Sequence, residues 1–159
     1  MEEIIIKPIG IIHTPYKEAK DIPIQGKFRK EIKGTVEVFK EYEQGLKDIQ
    51  GFSHLILLFY FHKSNKECVI GRPYLEDEEH GIFAIRSPHR PNHIGISIVR
   101  LLKRKKNILY IQEIDIFDGT PLLDIKPYVK HFDNRDNIRC GWLEKHFAKN
   151  NIPDRTILK

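Results

Sequence analysis

The sequence predicts a mostly β protein, a small antiparallel β-barrel with short helices and a C-terminal helix rather than a Rossmann fold. Three observations carry this. Six or seven apolar or alternating segments of strand length follow one another with little helical periodicity between them. Turn signals at short spacing separate them, with Asp118-Gly119 the clearest. No strand leads through a glycine-rich turn into a helix, the unit a dinucleotide fold needs.

The elements follow in chain order. Residues 4–13 open the chain as a strand, and Pro15 ends it because proline has no N–H to give a ladder. Residues 21–30 form a polar loop holding Pro23, Gln25 and Gly26. Residues 34–39 alternate as a strand, and residues 40–49 form a short helix or helical turn. Residues 53–62 are continuously apolar and aromatic, which fits a strand buried on both faces or a barrel stave. A charged excursion, residues 65–80, precedes a strand at 81–85. Residues 94–103 and 108–117 pair as a hairpin, residues 122–125 return as a short strand, and residues 141–150 form the terminal helix.

The chain has 159 residues, the size of one domain, with 40% hydrophobic and 31% charged residues. We read residues 1–159 as a single domain without repeats or linkers. No apolar run reaches the ~18–20 residues that span a bilayer. The N-terminus lacks the basic start and cleavage site of a secretory signal. Cys68 and Cys140 belong to no CxxC pair and read as reduced thiols, so a cytoplasmic protein is expected. The net charge of +5 favours phosphate-bearing partners.

Two stretches carry candidate chemistry. Arg86-Ser87-Pro88-His89-Arg90-Pro91-Asn92-His93-Ile94-Gly95 joins two apolar runs. Its prolines fix φ and push Ser87 and Arg90 to extended geometry, so the loop is stiff. Guanidiniums on such a loop suit a carboxylate or phosphate, and Asn92 can donate and accept together. The second stretch runs from Glu113 and Asp115 through Asp118-Gly119-Thr120-Pro121 to Asp124, Lys126 and Tyr128. In a strand, Glu113 and Asp115 would share one face with Leu109 and Ile111. Carboxylates on such a face are either exposed or functional.

These residues, together with GFSHLILLFYFH at 51–62 and IGIIHTPY at 9–16, resemble the TsaA-like or TrmO family in order and spacing. The resemblance covers a motif core of about residues 9–128, with 129–159 as a C-terminal extension. It implies an S-adenosylmethionine-dependent methyltransferase on a small β-barrel. The acceptor would be N6 of threonylcarbamoyladenosine beside the tRNA anticodon, and the protein would be a homodimer with the cofactor near the subunit interface. Cofactor contacts would then come from Gln25, Gly26, Lys27, Phe61, His62, Arg86, Ile96 and the strand Gln112, Glu113, Ile114, Asp115. Arg86, Asn92 and Asp118 become the catalytic candidates, and Arg90, Lys63, Lys126 and Tyr128 the candidates for RNA.

The sequence departs from the family pattern twice. His89 stands where an apolar residue is common, and His93 replaces a third proline. N6 of the acceptor is a poor nucleophile while protonated, so a base would help, and Asp118, Asp124 and His89 remain open for that role. Three competing readings also stay open: a metal-dependent hydrolase, a non-enzymatic RNA-binding barrel, and a methyltransferase of another RNA or small molecule. Because no HExxH or CxxC spacing occurs, no metal is expected.

Overall fold

The computed structural model describes residues 2–147. Its strands are β1 (Gly10–His13), β2 (Lys33–Val38), β3 (His54–Tyr60), β4 (Ile70–Gly71), β5 (His80–Gly81), β6 (Ile94–Lys105), β7 (Ile108–Gln112) and β8 (Thr120–Pro127). Six of them close a barrel in the order β1-β2-β7-β6-β3-β8, and β4 and β5 form a separate two-stranded ribbon. Every pairing is antiparallel. The barrel closes between β1 and β8, where Gly10 pairs with Leu122 and Ile12 with Thr120.

Alternation builds the core. Leu55, Leu57 and Phe59 of β3 point inward, as do Ser97 and Val99 of β6. Residues 53–62 are therefore a barrel stave, with Ile56 and Leu58 half-buried on the outer face. Ile12, Val36, Val38, Leu109, Ile111 and Leu122 complete the interior. Burying such side chains contributes ~1.5–3 kcal/mol each.

The structure corrects three expected elements and describes the start of a fourth. The first strand begins only at Gly10. Pro8 has no N–H for the ladder, and Ile4 and Ile5, each 81% exposed, lie outside the core. Residues 81–85 are not a strand. Beyond β5 they turn through a 3₁₀ segment, Ile82–Ala84, which buries Ile82 and Ile85 three positions apart and leaves Phe83 outside. The strand expected over 108–117 stops at Gln112 because Glu113 is left-handed, φ 64°. This residue shifts the alternation, so Ile114 and Ile116 point into the core as Leu109 and Ile111 do. Glu113 and Asp115 therefore do not sit on one strand face. The terminal helix is a 3₁₀ turn, Gly141–Leu143, followed by Glu144–Phe147, and residues 148–150 of the expected span lie outside the described residues. Among the described residues no helix is long and apolar enough to cross a membrane.

Candidate active site

Three chain-distant segments meet where β7 gives way to an irregular strand. The 3₁₀ turn Gly26–Phe28 lies directly on the backbone of Glu113 and Ile114. A Cβ on Gly26 would stand 1.9 Å from the Glu113 carbonyl oxygen, so only glycine permits this approach. The Gly26 N–H donates to Asp115 Oδ2 at 3.1 Å, and Ser97 Oγ donates to Asp115 Oδ1 at 2.5 Å. Gln25, next along the turn, accepts from Arg86 Nη1 on its Oε1 at 3.0 Å. The structure thus brings together Gln25, Gly26, Arg86, Glu113 and Asp115.

Asp115 is the electrostatic centre of this group. Its carboxylate is turned inward, and desolvation pushes its pKa up to about 6 against the opposing pull of Ser97, Gly26 and Arg86. The folded state therefore holds this proton more tightly than the unfolded chain does. As pH rises from about 4 to about 6 the fold should lose stability, and the loss persists above that window. The full effect is roughly 3 kcal/mol. Asp115→Asn should flatten the pH dependence of the urea midpoint in that window; an identical slope in the variant would refute the assignment.

Tyr16, from the IGIIHTPY motif, is a further candidate that the sequence reading passed over. Its hydroxyl is buried and has no hydrogen-bond partner among the described residues. Burial raises its pKa, and Asp115 is among the charges acting on it. A buried hydroxyl without a partner is suited to a polar ligand such as a ribose. The exposed guanidinium of Arg86 suits a carboxylate. This donor set fits S-adenosylmethionine, which carries both groups.

The stiff loop behaves differently from residue to residue. Arg90 Nη1 donates to the Ile85 carbonyl at 3.0 Å, so this guanidinium braces its own loop. Asn92 and His93 are both left-handed, at φ 63° and 48°. Proline cannot adopt the second value, so histidine at 93 belongs to this backbone. His93 is buried, shares a hydrogen bond with the Pro88 carbonyl at 3.0 Å and lies 3.7 Å from Glu67 Oε1. His89 Nδ1 lies 2.7 Å from Ser64 Oγ, and burial lowers its pKa. Both departures from the family pattern thus fasten the loop to residues 64–67.

The other candidates are dispersed. Phe61 packs edge-on against Phe59 at 5.1 Å, and a Cβ on Gly95 would strike both rings. His62, its pKa lowered by burial, lies 3.3 Å from Thr120 Oγ1. Ile96 projects from the outer face of β6, away from inward-facing Ser97. Ile114 gives its side chain to the core, so only its backbone can meet a ligand. Gln112 pairs with Lys33 and Arg100 across the sheet. Lys27 and Lys63 are exposed. Lys126 pairs with Asp124 at 2.8 Å, and the Tyr128 hydroxyl donates to Asn134 at 2.5 Å. Asp118 accepts from the Thr14 N–H at 2.9 Å and from Lys17, and Lys17 first, then Thr14, holds its pKa low. It ties the end of β1 to the turn before β8 and is a weak base.

Residues 11–134 match the family model described as the tRNA-methyltransferase O N-terminal domain. The chain is 59% identical over 146 residues to a probable S-adenosyl-L-methionine-binding protein of Pyrococcus abyssi, covering 92% of this chain and 79% of that one. It is 34% identical over 142 residues to the tRNA (adenine(37)-N6)-methyltransferase of Mus musculus, covering 85% of this chain but 33% of the mouse protein. The crystal structure of TrmO from Pseudomonas aeruginosa superposes with a TM-score of 0.76 at 35% identity, over 88% of this chain and 62% of that one. The chain thus spans less than two thirds of the solved TrmO chain and a third of the mouse enzyme. With the family model matched over most of its length and the barrel shared, this chain belongs to the tRNA-methyltransferase O N-terminal domain family.

Proposed function

We propose that this protein transfers the methyl group of S-adenosylmethionine to N6 of threonylcarbamoyladenosine beside the tRNA anticodon, acting in the cytoplasm as a homodimer. The observation that carries the reading is the meeting of Gln25 with Arg86 and of Gly26 with Asp115, in a chain of this family.

When bound, the cofactor supplies an electrophilic methyl group on a cationic sulfur. Arg86 offers its guanidinium to the amino-acid carboxylate, and Gln25 steadies that guanidinium. The backbone at Gly26 and Glu113 faces the polar parts. Asp115, ionised above pH about 6, sets a negative charge near the cationic end. Much of the rate would come from holding nucleophile, methyl and sulfur in line. Of the three base candidates, Asp118 is weakened by Lys17 and Asp124 is paired with Lys126. His89 is the one its surroundings keep unprotonated at neutral pH. Lys63 and Lys27 remain exposed for phosphate contact.

The dimer reading rests on the outer face of β6. Ile94, Ile96 and Ile98 are 37%, 51% and 47% exposed, and they lie beside exposed Tyr60 and half-buried Ile56 and Leu58 of β3. A run of isoleucines on a sheet exterior suits a second copy of the same face. Ile96→Glu should give a folded monomer by light scattering and lower methyl transfer; an unchanged dimer mass would remove this face from the interface.

The direct test is transfer of labelled methyl from S-adenosylmethionine to tRNA that lacks the methyl group, with nucleosides resolved by mass spectrometry. Label on threonylcarbamoyladenosine is the expected result. Label on another nucleoside would move the acceptor. Absence of both label and cofactor binding would overturn the reading.

A further inference from the structure

Apart from this site, the charged excursion and the C-terminal segment build a second cluster. Glu76, Glu78 and His80 each present a ligand atom, and the three atoms lie within 4.8 Å of one another. Glu76 is buried although it carries a full charge, and it is the hub. Its Oε1 faces His80 Nε2 at 2.5 Å. Its Oε2 is held from the other side by Lys145 Nζ at 2.6 Å and His146 Nε2 at 2.7 Å. Lys145 first, then His146, holds its pKa low. The ring of Trp142 stacks on His80, centroids 4.7 Å apart and planes 19° from parallel, and its Nε1 donates to the Ala84 carbonyl at 2.9 Å.

We propose that Glu76, Glu78 and His80 form a binding site for a divalent first-row transition-metal cation of the zinc type, which fastens the excursion against the C-terminal segment. Two carboxylates and an imidazole are the nitrogen and oxygen donors that such cations take, with water completing the shell. Donor atoms ~2 Å from one cation stand roughly 3–4 Å apart, a small contraction from the observed spread. His80 Nε2 would give up its proton on binding, as metal binding requires. Lys145 and His146 act on the oxygen that faces away from His80, and outer donors of this kind orient a ligating carboxylate. Stacking on Trp142 fixes the imidazole plane. The cation neutralises the two glutamates, and Lys145 need not leave. No helical HExxH marks this site, because these ligands sit at alternate positions of an irregular segment. The proposed methyl transfer uses none of these three side chains, so each proposal can fail without the other.

The chain has one tryptophan, Trp142, which provides the probe. Co²⁺ titrated into the whole protein should quench its fluorescence saturably at one equivalent, and Zn²⁺ should reverse the quenching. Glu78→Gln alters an exposed side chain and should fold normally, and with His80→Gln it should lose the saturable signal. His146→Gln should weaken it about tenfold, the effect expected of an outer donor. Circular dichroism checks the fold of each variant, and Glu78→Gln decides if His80→Gln does not fold. No saturable quenching in the wild type, quenching that Zn²⁺ leaves in place, or equal quenching in Glu78→Gln would reduce the cluster to ion pairs and overturn the proposal.

Discussion

Gly26→Ala should destabilise the fold and abolish cofactor binding together. The added Cβ would lie 1.9 Å from the Glu113 oxygen, 2.4 Å from its carbonyl carbon and 2.9 Å from the Ile114 nitrogen. All three atoms are backbone, so no rotamer change relieves the clash. The turn Gly26–Phe28 would have to lift away and break the hydrogen bond from the Gly26 N–H to Asp115. Asp115 would keep its desolvation and lose a donor. Overpacking costs ~1–3 kcal/mol where side chains can shift, and a backbone obstacle places this substitution at the upper end or beyond. A urea midpoint close to that of the wild type, with cofactor affinity intact, would sink this account of the turn.

Arg86→Ala separates the two effects. The side chain is exposed and donates its hydrogen bond to Gln25, so the unfolding midpoint should barely move. A charge-assisted hydrogen bond contributes ~1.5–3 kcal/mol, so S-adenosylmethionine affinity should fall by roughly 10- to 150-fold. Arg86→Lys keeps the charge but loses the planar fork, so it should fall between. Calorimetry of all three proteins checks the order. Equal affinity in wild type and Arg86→Ala would take the carboxylate away from this residue.

Much of the barrel is legible in the residues themselves. The staves at 54–60 and 94–105 carry apolar character over strand length, and the hairpin between β6 and β7 is marked by a basic turn. The misreadings share a physical cause. Ile82 and Ile85 have the spacing of a 3₁₀ turn as well as of a short strand, and five residues cannot distinguish the two. Glu113 takes a left-handed conformation that its residue type does not announce, and one such residue reverses every later side chain. In the site, the loop arginines and the paired acids are visible by residue type. That Gln25 and Gly26 belong to the cofactor site came through family resemblance, because the loop alone carries no such mark. Tyr16 and the Glu76 cluster were missed because burial and long-range contact define them.

The closure of the barrel has a kinetic consequence. β8 pairs with both β1 and β3, and the Thr14 N–H reaches Asp118 across 104 positions of the chain. Contacts of such separation make folding slow, in the range of about milliseconds to seconds for β proteins. On the ribosome, β1 and β3 keep open edges until residues 120–127 emerge. Chains halted before that point expose two unpaired strand edges, so the nascent protein is at its most vulnerable to self-association just before β8 arrives.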